Sequence, residues 1–310
     1  MVVKKRARHK FGAFFFLAAL LITAGVLCMQ WAPFHRLTAV QPGDSGQADS
    51  GLLSLYSPNA ILMRLDDQKV PMQRAADERI YPASLTKIMT ALVAMERIDD
   101  REQKVVIRQE WYDELVAADA SMAGFLPGER VSVNDLFYGA LLCSGAECCV
   151  ALAVEAAGSQ TAFVSAMNEK ARQLGMRDTH FSNVTGLHQD DHYSTVRDLA
   201  ILLRNALQNE TFRTVFTTKR RAIAPTSRHP QGITVVSSLF SKLSSPSFEG
   251  GQILGGKTGY TQQAGLCLAT LAVKEGREWI LITAGAPGDH TTEPYHIMDA
   301  LYVYNTYAES

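Results

Sequence analysis

The 310 residues carry 30 Lys and Arg against 31 Asp and Glu, a formal net charge of −1, with both signs spread along the chain. That balance supplies no basic face for nucleic acid, and an apolar share of 47% excludes a disordered chain and permits a sizeable core. The five cysteines, Cys28, Cys143, Cys148, Cys149 and Cys267, follow no zinc-ribbon or zinc-finger spacing. Burial as small apolar side chains is the expectation for the last four, with a disulfide involving Cys267 as the alternative.

Lys4, Lys5, Arg6, Arg8 and Lys10 precede residues 11–31, which hold no charged side chain. Such a stretch can span a bilayer, and the basic cluster keeps residues 1–10 cytoplasmic and sends the chain after Trp31 outward. The bulky Cys28-Met29-Gln30-Trp31 is unlike the small residues of a signal cleavage site. A single-pass anchor is therefore expected, a cleaved signal and a secreted chain being the alternative. Residues 32–52, centred on Pro42-Gly43-Asp44-Ser45-Gly46, read as a flexible linker, and residues 53–310 as one α/β unit without internal repeats.

Within that unit, Ala60-Ile61-Leu62-Met63 and Lys69-Val70-Pro71-Met72 flank Asp66-Asp67-Gln68 and predict a hairpin. Pro82 and Ser84 open a helical pattern with Ile88, Met89, Leu92 and Val93 on one apolar face. Asn134-Asp135 precede a helical run to Leu142, and Ala146 to Ala157 reads as an almost wholly apolar helix. Leu266 to Val273 and Trp279 to Ala284 predict strands joined through Lys274-Glu275-Gly276-Arg277. A terminal helix is expected to start near Thr292 and Glu293 and to bury Ile297, Ala300, Leu301, Tyr304 and Tyr307.

Three short motifs carry chemistry. In Ser84-Leu85-Thr86-Lys87 the serine and lysine fall on one helix face, where a neutral lysine can take the hydroxyl proton and activate the serine. Ser144-Gly145-Ala146 offers a hydroxyl at a helix junction; read alone it is a helix cap. Lys257-Thr258-Gly259 offers a cation and a hydroxyl to a carboxylate, beside a glycine that admits a substrate backbone. The amides of Tyr260 and Ser84 then suit an oxyanion hole.

In this order the motifs match the set of penicillin-binding serine enzymes, and the chain resembles the low-molecular-mass D-alanyl-D-alanine carboxypeptidases. The resemblance extends to Ala120-Ser121-Met122-Ala123-Gly124, to Asn183-Val184-Thr185-Gly186-Leu187-His188, to Tyr193-Ser194-Thr195 with Asp198-Leu199-Ala200, and to residues 255–261. It implies a β-lactamase/transpeptidase-like α/β fold of the α+β kind, an antiparallel sheet flanked by helices with a helical subdomain, and no cofactor or metal. It also implies that Ser84 forms an acyl-enzyme with Lys87 as base and Ser144 as proton relay, while Lys257 and Thr258 hold a terminal carboxylate. The partners so implied are stem peptides ending in D-Ala-D-Ala and β-lactams as covalent inhibitors. The membrane is met through the N-terminal segment, which anchors the chain in place of the C-terminal β domain and tail of many relatives. Wall maturation, sporulation and glycopeptide resistance all use this reaction.

Ala146 departs from the family, whose motif has asparagine there. A wall sensor that has lost turnover is therefore one rival reading, and a slow serine β-lactamase another, although no Glu-x-x-Leu-Asn segment is present. His188 and His192, four apart, raise a zinc peptidase as a third; the flanking residues suggest a loop and a surface polar cluster instead.

Overall fold

The computed structural model describes residues 55–309; the expected anchor and linker, residues 11–31 and 32–52, lie outside them. The chain runs β1 (Asn59–Arg64), β2 (Met72–Arg74), a 3-10 turn (Ala83–Leu85), α1 (Thr86–Arg97), β3 (Lys104–Val106), α2 (Gln109–Ala117), β4 (Arg130–Ser132), α3 (Val133–Leu142), α4 (Ala146–Ala157) and α5 (Gln160–Leu174). It continues α6 (Val196–Ala206), α7 (Glu210–Thr217), β5 (Arg220–Ile223), β6 (Ile233–Val236), α8 (Ser238–Lys242), β7 (Ser247–Phe248), β8 (Gly251–Thr261), β9 (Gly265–Lys274), β10 (Arg277–Ala286) and α9 (Tyr295–Tyr307).

Six strands form one sheet in the order β2-β1-β10-β9-β8-β7, every neighbouring pair antiparallel. Helices cover both faces, so β1 has no polar side. Ile61 and Met63 enter the core shared with α1, while Ala60 and Leu62 pack with Leu268, Trp279, Ala300 and Tyr304 beneath α9. Truncating Leu62 to alanine in such a site costs about 2–5 kcal/mol. β9 and β10 turn through Glu275 and Gly276, both at positive φ (50° and 78°), the conformation whose twist matches a two-residue hairpin.

α1 is buried from Thr86 to Met95 on every side, not on the single face its apolar spacing suggests, because α3, α4, α5, α6 and α7 surround it. A helix enclosed in this way has no solvent stripe to keep polar. Three boundaries also shift. β2 begins at Met72, after Pro71, which has no N–H for a ladder. α3 starts at Val133, where Ser132 Oγ accepts the Asp135 N–H at 3.1 Å, so Asn134-Asp135 lie in its first turn. α9 starts after Pro294 without a side-chain cap, and Val303 joins the core while Leu301 and Tyr307 are half-buried.

Cys143, Cys148, Cys149 and Cys267 are free thiols, the last three buried. Among the described residues no single helix is long and apolar enough to cross a membrane.

Candidate active site

Ser84 sits in the 3-10 turn that leads into α1, wedged between two glycines distant in sequence. Behind it, Gly186 has φ +83°, and a Cβ there would lie 1.9 Å from the Ala83 carbonyl oxygen. In front, a Cβ on Gly259 of β8 would come within 3.1 Å of the Ser84 nitrogen. Ala83 itself is held at φ 45°, an uncommon conformation for a residue with a side chain. The turn is thus fixed by its neighbours rather than by its own preference.

Lys87 Nζ donates to Ser84 Oγ at 2.7 Å and to the Thr185 carbonyl at 2.6 Å. That carbonyl is aimed by Asn183, whose Oδ1 accepts the N–H groups of Thr185 (3.1 Å) and Gly186 (2.7 Å) in a side-chain-supported turn. Lys87 is 2% exposed. Burial lowers its pKa, and negative charge on Cys149 or Glu147 opposes that shift. The neutral amine, able to take the Ser84 proton, is the form that burial favours.

Ser144 stands at φ 67°, is 6% exposed, and its Oγ has no partner among the described residues. It is not a cap: Gly145 occupies the N-cap of α4, with no side-chain bond. A buried hydroxyl left unpaired costs about 1–3 kcal/mol, and this one lines the same cleft as Ser84. Ala146 is fully buried, and its N–H donates to the Ser121 carbonyl at 2.8 Å. Glu147 completes that attachment, Oε1 accepting the N–H groups of Ala123 (2.7 Å), Gly124 (3.0 Å) and Phe125 (3.3 Å).

The opposite wall is β8. β7 pairs only with Gly251 and Gln252, so beyond them the outer edge of β8 has no strand partner and packs against the Ser84 turn. Thr258 Oγ1 lies 2.5 Å from Ser238 Oγ. Lys257 is fully buried, its Nζ donating to the Thr258 carbonyl at 2.6 Å; burial, then the charge of Lys87, lowers its pKa to about 7.

Two cavities meet at Ser84. The larger, about 530 Å³, is lined by Ser84, Lys87, Asp119, Ser121, Ala146 and Tyr260 among others. The smaller, about 90 Å³, takes in Ser144, Ser238, Lys242, Thr258 and Gly259. Lys257 lines neither; its amine is buried beneath the strand.

Sequence reasoning missed Glu147, Ser238, Lys242 and the Thr185 carbonyl as parts of this site. Glu147 left one signal, a charge set among the apolar residues that open α4, which demands partners when buried. Lys242, whose Nζ donates to the His290 carbonyl at 3.2 Å, left none. The histidine pair separates. His192 is 2% exposed, with Nε2 2.7 Å from Thr86 Oγ1 and Nδ1 accepting the Ser182 N–H; burial lowers its pKa to about 4. It is a core ring, not part of a surface cluster, whereas His188 lines the larger cavity.

The family described as D-alanyl-D-alanine carboxypeptidase matches residues 46–288. D-alanyl-D-alanine carboxypeptidase DacF of Bacillus subtilis is 31% identical over 294 residues, covering 94% of this chain and 72% of that protein. A D-alanyl-D-alanine carboxypeptidase of Streptomyces is 33% identical, over 75% of this chain and 80% of its own length. The crystal structure of the Streptomyces K15 DD-transpeptidase superposes with a TM-score of 0.72 at 30% identity, covering 81% of this chain and 96% of that one.

Proposed function

The chain belongs to the D-alanyl-D-alanine carboxypeptidase family, and on that footing we propose that it removes the terminal D-Ala of peptidoglycan stem peptides through an acyl-enzyme on Ser84. The observation that carries the reading is the buried Lys87 amine 2.7 Å from Ser84 Oγ, with no carboxylate among its hydrogen-bond partners in the described residues.

Lys87 takes the Ser84 proton as Oγ attacks the carbonyl of the penultimate residue. The Ser84 and Tyr260 amides receive the developing oxyanion. Ser144, its hydroxyl unengaged by any described residue, passes a proton to the departing amine nitrogen. Water then attacks the ester, and the proton it yields restores Ser84. The free carboxylate of the leaving residue lies in the smaller cavity. There Thr258 donates to it, Lys242 meets it from the rim, and Lys257 supplies positive charge from beneath.

β-Lactams enter the same step as covalent inhibitors. Glu147 does not drive their hydrolysis, because its Oε1 is taken by three backbone N–H groups and its side chain lines neither cavity.

The same reading takes residues 53–310 as the catalytic unit, residues 11–31 as its single-pass membrane anchor and residues 1–10 as cytoplasmic. The support is the basic cluster ahead of an uncharged stretch. Retention in the membrane pellet after alkaline extraction checks it; release of a chain shortened at its N-terminus would favour the cleaved signal.

Ser84→Ala is expected to abolish both labelling by a fluorescent penicillin and D-Ala release from a stem pentapeptide, a loss of at least about a thousandfold. Persistent labelling of that variant would overturn the assignment. Wild-type labelling without D-Ala release would instead identify a sensor, and rapid nitrocefin turnover a β-lactamase.

A further inference from the structure

α2 ends with paired hydrogen bonds: Ala120 N–H donates to the Leu115 carbonyl at 2.9 Å and Asp119 N–H to that of Val116 at 3.1 Å. Asp119 stands between them at φ 50°. This helix end usually carries glycine at its left-handed position, because a Cβ there is strained. A negative side chain at the carbonyl end of a helix is also opposed by the helix dipole. Asp119 therefore meets two independent penalties, and no contact among the described residues offsets them: its carboxylate has no hydrogen-bond or ion-pair partner there.

What the carboxylate does have is a cavity. Asp119 is exposed and lines the larger one. The amine of Lys87, also in that lining, is already engaged by Ser84 and Thr185, and no other Asp, Glu, Lys or Arg contributes to the wall. The cavity thus presents one acidic charge that no fixed cation answers. Its place in the reaction follows from the smaller cavity. If Thr258, Ser144 and Lys242 receive the terminal residue there, the acyl portion of the peptide fills the larger space.

We propose that Asp119 is a specificity-determining residue that selects peptides bearing a free ammonium group on the acyl portion, upstream of the scissile bond. This inference rests on the peptidase reading. The contact is a charge-assisted hydrogen bond from the ammonium to Asp119 Oδ, weakened by added salt because the site is open to solvent. Placing the acid on a tight helix end limits its freedom and points a short side chain at a defined place in the wall.

The test compares Nα-acetyl-L-lysyl-D-alanyl-D-alanine with the same peptide acetylated on its side-chain amine. With the full chain, kcat/KM is expected to favour the free amine by about tenfold, and Asp119→Asn to bring the ratio close to one. Asp119→Gly should do the same while raising Tm, since it relieves the turn and the dipole together; a purely structural role predicts a lower Tm and an unchanged ratio. A wild-type ratio near one, or a preference that survives Asp119→Asn, overturns the proposal. Calorimetric binding of both peptides to Ser84→Ala, with and without Asp119→Asn, repeats the comparison without turnover. A selective, Asp119-dependent binding signal with no D-Ala released by the wild type would reject the peptidase reading and keep the selectivity.

Discussion

The two walls of the cleft are built in different ways. The strand wall is a single run, residues 257–260 of β8, held along its length by the ladder to β9 from Lys257↔Ala269 to Tyr260↔Leu266. The helical wall is assembled from four separated pieces: the Ser84 turn, residues 121–125, the Ser144 turn and residues 183–186. These are joined by backbone contacts at Ala146 and Gly186, by the Glu147 side chain and by Lys87, whose Nζ donates to the Thr185 carbonyl. A continuous strand tolerates change because each residue shares its position with a ladder of neighbours. A composite wall concentrates its geometry in a few joints, and damage at a joint should reach the chemistry without touching a reacting group.

Gly186→Ala tests that contrast most severely. Its Cβ has no room beside the Ala83 carbonyl, and its φ disfavours any side chain. The Ser84 turn must move, and a displacement near 1 Å costs about a hundredfold; acylation by a fluorescent penicillin should fall by at least that much. Near-normal labelling would mean that the turn is held by something other than this contact.

On the strand wall, Lys257→Met should raise KM about tenfold and change kcat less, because a charge beneath the carboxylate aids binding more than bond breaking. The pH dependence sharpens the point. Lys257 titrates near 7 in the fold against 10.5 for a free lysine, so between those values the unfolded chain holds more protons and stability rises with pH. Over the same range the Lys257 amine loses its charge, and if that charge attracts substrate, KM is expected to rise. Thermal melts and KM measured from pH 6.5 to 9 should therefore move together in the wild type, and both slopes should shrink in Lys257→Met. Lys87, whose pKa is lowered in the same direction, keeps a rising slope in that variant, opposed toward pH 9 by the thiols whose pKa burial raises. A wild-type KM that is flat across this range would exclude a role for the Lys257 charge in binding.

The remaining joint is Ala146, where Ala146→Asn is the test. Lys87 already has Ser84 Oγ and the Thr185 carbonyl as acceptors, so an added amide supplies one more hydrogen bond, about 1–3 kcal/mol at most. Turnover should rise by no more than about a hundredfold. A larger gain would show that alanine at this position has disabled the helical wall.

Much of this molecule was legible before any coordinates. The apolar run of Ala146–Ala157 and the two terminal strands announced themselves because their signal lies in contiguous residues. Ser84 and Lys87 could be paired because three residues along a helix is a fixed distance. The enclosure of α1 was not legible, since one amphipathic pattern fits a surface helix and a buried one until the surrounding helices are known. His192 misled for the same reason: polar neighbours in sequence suggest a surface, and only packing put its ring in the core.

The sequence by itself determined that Ser84 and Lys87 stand side by side at a helix start and that Lys257-Thr258-Gly259 lies on a strand, because residue type and local spacing are enough to specify that much. Only the tertiary structure decided that Ser144 has no hydrogen-bond partner among the described residues and is not a cap, that Glu147 ties down the wall beside Ala146, and that Lys257 is buried beneath the strand. It alone placed Lys242 and Asp119 at opposite cavities. Those properties depend on what lies across a gap from each side chain, and segments up to a hundred or more residues apart meet there through burial and hydrogen bonding that no local pattern encodes.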